Sequence, residues 1–173
     1  MDELTGYALR ARDGDPLAEA AFVRASQPDV WRLCASLVDR QSADDLVQES
    51  YLRAFRALEK FEGRSTVRTW LLGIARRTCA DHLRATVRRR NLDRRLRLVR
   101  TADAPDPAGA ATAGDMLDAL GDDQRSAFVL TQLAGLSYQE AAAIEGVPVG
   151  TIRSRVARAR AELVGALATA AAS

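Results

Sequence analysis

The chain has 173 residues, of which 47% are hydrophobic and 28% charged, and its formal net charge is +2. This composition excludes a disordered chain and predicts one or two compact domains. No apolar run approaches the roughly 20 residues of a membrane span, and the first residues lack the basic-then-apolar order of a secretory signal. We therefore expect a cytoplasmic protein with no membrane span.

Cysteine and histidine are too scarce to suggest a metal site. Cys34 and Cys79 are far apart, each lies in a helical pattern, and His82 is the single histidine. Such a pattern favours buried thiols over a disulfide or a metal centre. We expect no metal and no cofactor.

The first half of the chain shows helical periodicity throughout. Predicted helices run from Leu4 to Arg12, from Pro16 to Ser26, from about Pro28 to Val38, from Ser42 to Leu58 and, after a break at Phe61–Ser65, from about Val67 to Leu83. The apolar face of the fourth of these comprises Leu46, Val47, Tyr51, Leu52, Phe55 and Leu58. Each apolar face predicts packing against the other helices.

The last of these helices also carries a basic face, and aromatic residues lie at and before its start. The basic residues are Arg64, Arg68, Arg76, Arg77 and Arg84, and the aromatic ones are Phe61 and Trp70. A basic face beside aromatic rings suits single-stranded or melting nucleic acid. Aromatic residues in the core and arginines in water would give the same periodicity, so the pattern leaves both interpretations open.

Charge changes sign in the middle of the chain. Eight arginines and a single aspartate lie between Arg84 and Arg100, whereas Thr101 to Gln124 holds six aspartates and no basic residue. Residues 101–114 also contain two prolines, two glycines and six alanines without apolar periodicity, which is typical of a flexible linker. We therefore predict an all-α fold with two small helical domains, residues 1–95 and 115–168, joined by a linker at 96–114 and followed by a tail at 169–173.

Residues Leu136 to Leu163 have the pattern of a helix-turn-helix. Ser137 and Glu140 have the spacing of a capping box, in which each side chain bonds the backbone amide of the other residue. Gly146 suits the left-handed end of a helix, and Pro148 suits the first turn of the next. The buried face of the second helix is predicted to hold Ile152, Val156, Ala159 and Leu163.

The opposite surface of that second helix is predicted to be available to DNA. It presents Thr151, Arg153, Ser154, Ala157 and Arg158. An ordinary helical hairpin with a solvated basic face has the same local pattern. Taken alone, this unit fits any protein that binds a major groove.

Two segments together resemble a known family. The stretch from Asp44 to Leu58, followed by Phe61 to Arg77 and Asp81-His-Leu-Arg84, is similar to region 2 of the extracytoplasmic-function (ECF) sigma factors, which belong to group 4 of the sigma-70 superfamily. The stretch from Leu120 to Leu163 is similar to their region 4, and it includes Gly135-Leu-Ser-Tyr-Gln-Glu140 and Val147-Pro-Val-Gly-Thr-Ile-Arg-Ser-Arg-Val-Ala-Arg-Ala-Arg160. The resemblance covers nearly the whole chain in the order of the family.

The resemblance implies a promoter-specificity subunit of bacterial RNA polymerase that recognises two promoter elements and nucleates strand opening. In the family, the helix matching Asp44–Leu58 docks on core polymerase, which implicates Asp45, Gln48, Glu49 and Arg53. The next segment recognises the −10 element and captures a base flipped from the melted non-template strand, which implicates Phe61, Arg64, Ser65, Trp70, Arg76 and Arg77. The recognition helix enters the −35 element, which implicates Thr151, Arg153, Ser154, Arg155 and Arg158.

Further expectations follow from the family. An anti-sigma factor is an expected partner, because family members are commonly held inactive by one. The chain is expected not to be an enzyme, since RNA synthesis belongs to the core polymerase. Some residues depart from the family pattern: Arg77 replaces a frequent Asn, Glu145 a usual Leu, Ala157 a bulkier residue, and Gly121-Asp122 a frequent Pro-Glu.

Two other functions compete with this interpretation. A helix-turn-helix regulator acting without polymerase would explain the C-terminal unit equally well, but it leaves the aromatic and basic segment from Phe61 to Arg84 unexplained. A protein-interaction scaffold would need only the helical layout, and the clustered arginines would then be incidental.

Overall fold

A computed structural model of the chain describes residues 2–96 and 113–171. These residues form helices, and no strand occurs among them. The helices are α1 Glu3–Arg12, α2 Pro16–Leu37, α3 Arg40–Leu58, α4 Val67–Leu96, α5 Ala113–Asp118, α6 Asp122–Phe128, α7 Tyr138–Glu145 and α8 Val149–Ala171, and a π-helical turn at Val129–Leu133 follows α6. The predicted all-α fold class is confirmed.

Most of the predicted linker at 96–114 lies outside the described residues. Its first residue, Leu96, ends α4, and Ala113 begins α5. In the described part of the chain, no helix is both long and apolar enough to cross a bilayer.

Aspartates set the starts of the first helices. Asp15 accepts bonds from the amides of Leu17, at 2.9 Å, and Ala18, at 3.2 Å. Asp39 accepts one from the amide of Ser42 at 2.6 Å. These carboxylates satisfy amides that have no partner within the helix. The cap at Asp39 starts α3 two residues before the predicted start at Ser42.

The second helix is longer than its sequence suggests. We expected a break before Pro28, yet α2 runs through it from Pro16 to Leu37. A proline inside a helix removes one backbone hydrogen bond. Phe22 and Ser26 before Pro28, and Val30 and Leu33 after it, are nevertheless buried, so packing of one continuous face outweighs the local loss.

The first four helices enclose a core that is rich in large apolar side chains. Phe22 meets Tyr51 and Phe55 edge-on, with ring centroids 6.2 and 6.0 Å apart. Both cysteines are free and buried, as predicted. Leu52 was assigned to the buried face of α3, and this was wrong: its side chain is 54% exposed. It lies on the outer face because α2 and α4 cover the opposite side of α3.

The second half of the chain packs directly on the first. Gly73 of α4 lies against Ile144 of α7, where an added Cβ would stand 3.4 Å from the Ile144 side chain. The Arg125 guanidinium of α6 donates to the carbonyl oxygen of Leu37 at the end of α2, at 3.4 Å. Buried residues of both halves therefore form one continuous cluster.

Candidate nucleic-acid interface

The helix-turn-helix has the predicted geometry. Ser137 Oγ accepts from the Glu140 amide at 3.2 Å, and Glu140 Oε2 accepts from the Ser137 amide at 2.8 Å, so the capping box is complete. Gly146 ends α7 with φ of +67°, in the left-handed region of backbone conformation, which residues with a Cβ atom rarely adopt. Helix α8 begins directly after Pro148.

The predicted buried face of α8 is largely correct. Ile152, Val156 and Ala159 are buried, whereas Leu163 is half-buried. The solvent side of the same helix carries Arg153 and Arg158, which are exposed, and Thr151 and Ser154, which are half-buried. Ser154 Oγ donates to the Thr151 carbonyl at 2.9 Å.

One residue of the predicted −35 set points away from that surface. Arg155 Nη2 donates to Asp123 Oδ2 of α6 at 2.5 Å, and its side chain is only 17% exposed. Arg160, outside the predicted set, similarly donates to Gln132 Oε1 at 2.5 Å. These contacts tie α8 to the preceding helices, so Arg155 supports the domain. Arg153 and Arg158 stay exposed on the solvent side of α8, where Arg158 Nη2 donates to Ser154 Oγ at 3.5 Å.

An aromatic cavity lies at the start of α4. Phe61 and Trp70 stand with ring centroids 5.1 Å apart at an angle of 56°. Lys60, Glu62, Arg64 and Ser65 complete a cavity of about 290 Å³ around them. Arg64 is exposed and pairs with Glu62. The structure thus brings together four residues of the predicted −10 set: Phe61, Arg64, Ser65 and Trp70.

Arg76, a fifth residue of that set, is held by the other half of the chain. Its Nε and Nη2 donate to Glu145 Oε1 and Oε2 of α7 at 2.7 and 3.0 Å. The two side chains are 19% and 6% exposed, and Ser126 Oγ donates to Glu145 Oε1 at 2.6 Å. Arg77, the sixth, is exposed. The structure therefore distinguishes two adjacent arginines, because Arg76 is sequestered and Arg77 is exposed.

Other polar groups near the start of α4 also meet the second half. Arg68 donates from Nε to Asp29 Oδ2 and from Nη2 to the Ala134 carbonyl oxygen, both at 2.7 Å. Thr69 Oγ1 donates to Glu140 Oε1 at 2.5 Å. This bond, together with those from Ser137, lowers the pKa of the Glu140 carboxyl. The capping-box glutamate thus also joins the two halves.

The candidate polymerase surface lies on α3. Asp45 and Gln48 are exposed and Glu49 is half-buried. Arg53 donates to Glu49 Oε1 at 2.7 Å and to Asp81 Oδ2 of α4 at 2.6 Å. The bond from Arg53 is the main cause that lowers the pKa of Asp81. Arg53 therefore positions Glu49 from a fixed point on α4.

Sequence reasoning missed the contacts between the two halves. One feature of the sequence could have indicated these contacts. Glu145 is a carboxylate at a position where the family usually has an apolar residue, and such a carboxylate needs a basic partner such as Arg76. Leu52 was also missed as a surface residue, because apolar periodicity alone assigned it to the core.

Comparisons with known proteins agree with the resemblance. Residues 22–89 match the Sigma-70 region 2 family and residues 112–163 match the Sigma-70, region 4 family. The chain is 48% identical over 167 residues to the ECF RNA polymerase sigma factor SigC of Mycobacterium tuberculosis, covering 94% of this chain and 90% of that protein. It is 36% identical over 177 residues to the ECF RNA polymerase sigma-E factor of Haemophilus influenzae, covering 92% and 93%.

A solved structure shows the same architecture. The sigma factor RpoE of Bartonella quintana, determined in complex with the anti-sigma factor NepR, superposes with a TM-score of 0.70 at 32% identity and covers 84% of this chain and 93% of that one. Sequence and structure therefore agree over both halves of the molecule. The chain belongs to the extracytoplasmic-function family of sigma-70-type RNA polymerase sigma factors.

Proposed function

We propose that this chain, an alternative sigma factor, binds core RNA polymerase, directs it to promoters through −10 and −35 elements, and nucleates promoter melting. The observation that carries this proposal is that one chain combines an aromatic cavity at the start of α4 with an exposed basic face on the second helix of a helix-turn-helix. The Phe61–Trp70 cavity suits an unpaired base, and the outer face of α8 suits a duplex major groove.

The downstream contact is assigned to the aromatic cavity and its surroundings. Extruding a base from a duplex costs a few kcal/mol, which stacking and a fitted pocket must offset. Phe61 and Trp70 supply the stacking surface, and Arg64 and Ser65 supply polar groups at the rim. Arg77 extends the basic surface along α4. Arg76 joins this surface only when its pairing with Glu145 is released.

The upstream contact is assigned to the outer face of α8. Arg153 and Arg158 are exposed and long enough to reach base edges, and an arginine bidentate to guanine contributes about 1 to 3 kcal/mol of discrimination. Thr151 and Ser154 offer shorter polar contacts to bases or phosphates. Arg155 acts through its pairing with Asp123, which fixes α8 against α6.

The polymerase contact is assigned to the outer face of α3. Asp45 and Gln48 present polar groups there, and Glu49 is held in place by Arg53. The exposed side chain of Leu52 lies about one turn beyond Gln48 and Glu49 on the same helix and adds apolar surface next to these polar groups. Protein interfaces typically combine apolar and polar groups in this way.

Three further assignments follow from this role. The chain acts in the cytoplasm, where its polymerase and promoters are, and it catalyses no reaction of its own. An anti-sigma factor is its expected regulator, in line with the complex described for the Bartonella quintana protein. A helix-turn-helix regulator that acts without core polymerase is not favoured, because the similarity to sigma factors extends over the first half of the chain as well as the helix-turn-helix.

Reconstitution with purified core polymerase tests the proposal. The full chain should form a stable complex with the core and support transcripts that start at defined positions on duplex promoters. Binding to duplex DNA without any binding to core polymerase would instead support a regulator. Absence of both would exclude each of these functions.

A further inference from the structure

The C-terminal end of α4 leaves the core and continues into solvent. Cys79 is 1% exposed, whereas every residue from Val87 to Leu96 is exposed. We call residues 84–96 the α4 arm. Packing does not explain the residue types of the arm, because its last ten residues contribute nothing to the core.

The arm concentrates positive charge. It carries six arginines and one aspartate, Asp93, for a net charge of +5, while the whole chain carries +2, so the remaining residues sum to −3. Arg84 pairs with Asp81 at 2.5 Å. The others, Arg88, Arg89, Arg90, Arg94 and Arg95, make no hydrogen bond or ion pair with any residue that the structure describes. Five guanidinium groups are thus available for a ligand.

Four arginines of α4 lie on one side of the helix. Arg77, Arg84, Arg88 and Arg95 follow one another at steps of seven, four and seven residues. At about 100° per residue these positions fall within roughly 40° of each other, and at about 1.5 Å per residue they span roughly 27 Å. We call them the arginine stripe. The stripe starts at Arg77, in the surface proposed for the −10 element, and continues away from it.

We propose that the arginine stripe binds the phosphate backbone of the promoter duplex that adjoins the −10 element on its upstream side. A row of about 27 Å matches roughly eight base pairs of duplex at about 3.4 Å each. Arginine forks match phosphate geometry. The arm has no aromatic residue on which an unpaired base would stack, so the contact is with backbone and independent of sequence.

The competing occupant is an acidic protein segment. Asp122 and Asp123 line the same cavity as Arg84 and Arg88, although Asp123 pairs with Arg155 instead. The position of the stripe favours DNA, because it continues a proposed DNA surface in a straight line. The inference rests on the proposed function, since it requires a promoter bound at Arg77.

The test compares two double variants of the full chain in complex with core polymerase. Arg88→Gln/Arg95→Gln removes two charges from the stripe, and Arg89→Gln/Arg90→Gln removes the same charge from other sides of the same arm. Affinity for a promoter duplex is measured as a function of salt. The stripe variant should weaken binding and make the slope of log K against log salt less steep by about 2, whereas the control should leave it near the wild-type value.

A second DNA fragment, whose duplex stops at the upstream edge of the −10 element, completes the test. On that fragment the stripe variant should bind like the wild type. The proposed role of the stripe would be overturned if both double variants had equal salt slopes, or if the stripe variant also lost affinity for the short fragment. Initiation by the wild-type chain would still uphold the sigma function in either case. If the stripe variant kept the wild-type salt slope but unfolded at a lower temperature, the stripe would instead pair with an acidic segment of the chain, and the proposed DNA contact would be overturned. A wild-type chain that fails to bind core polymerase would overturn the proposed function itself, and the stripe with it.

Discussion

Arg76 of α4 and Glu145 of α7 form a bidentate ion pair between the two halves of the molecule, with N–O distances of 2.7 and 3.0 Å. The side chains are 19% and 6% exposed, so water screens the pair weakly. The Glu145 carboxylate therefore binds Arg76, an arginine that we assign to recognition of the −10 element.

The first prediction concerns this pair. Glu145→Gln should weaken the packing of α7 on α4, because a hydrogen bond to a charged group contributes about 1.5 to 3 kcal/mol. Release of Arg76 should then raise affinity for single-stranded −10 DNA. Hydrogen exchange of the α7 amides and binding of a fluorescent oligonucleotide measure the two effects. Glu162→Gln, at an exposed position of α8, is the control, and unchanged DNA affinity in Glu145→Gln would contradict the assignment of Arg76.

The second prediction concerns the aromatic cavity. Trp70→Ala should reduce affinity for a melted −10 strand by roughly 5- to 150-fold, because base stacking contributes about 1 to 3 kcal/mol. The matched control is Trp31→Phe, since Trp31 bonds Asp44 at 2.9 Å and lies outside the cavity. Titration with a single-stranded oligonucleotide measures the affinity. A comparable loss in both variants would argue against stacking at Trp70.

The third prediction concerns the outer face of α3. Leu52→Ser should weaken core polymerase binding about fivefold, which corresponds to roughly 1 kcal/mol for burying its exposed surface. Leu17→Ser is the control, because Leu17 is 79% exposed and lies on a different helix, α2. Affinity is measured with labelled core enzyme. If Leu17→Ser has the larger effect, the docking surface lies elsewhere.

The fourth prediction concerns acid stability. Hydrogen bonds from Thr69 and Ser137 lower the pKa of Glu140 from its ordinary value of 4.5. A carboxyl whose pKa is lower in the folded state than in the unfolded state stabilises the fold at any pH above its unfolded-state pKa. This stabilisation is lost as the pH falls through the folded-state pKa. Glu140→Gln should therefore be less stable than the wild type at neutral pH and approach it well below pH 4.5. Urea unfolding across this range measures the difference, and a constant difference would contradict the linkage.

Local chemistry made much of the fold predictable from sequence. Ser137, Glu140 and Gly146 specify the start and end of α7 through bonds within a few residues, and the structure contains those bonds. Pro28 shows the opposite case. Its local effect favours a helix break, but burial of Val30 and Leu33 beyond it depends on packing that no local pattern reveals.

The candidate site also has one part that local sequence predicts and another that depends on the packing of distant residues. Phe61 and Trp70 are close along the chain, and their pairing follows from a turn and the start of one helix. Arg76 and Arg155 were predicted as DNA contacts because they lie in the segments that resemble the DNA-binding regions of the family. Their partners, Glu145 and Asp123, lie 69 and 32 residues away, so only the folded chain shows where these two arginines are held.

Sequencing the promoters that the reconstituted polymerase selects from a randomised library tests the central claim most directly. The wild-type chain should enrich two separated sequence blocks. Trp70→Ala should relax the downstream block alone, and Arg153→Ala/Arg158→Ala should relax the upstream block alone, while core binding stays intact in both. Enrichment of a single block, or relaxation of both blocks by either variant, would contradict a sigma factor that reads two promoter elements with two separate surfaces.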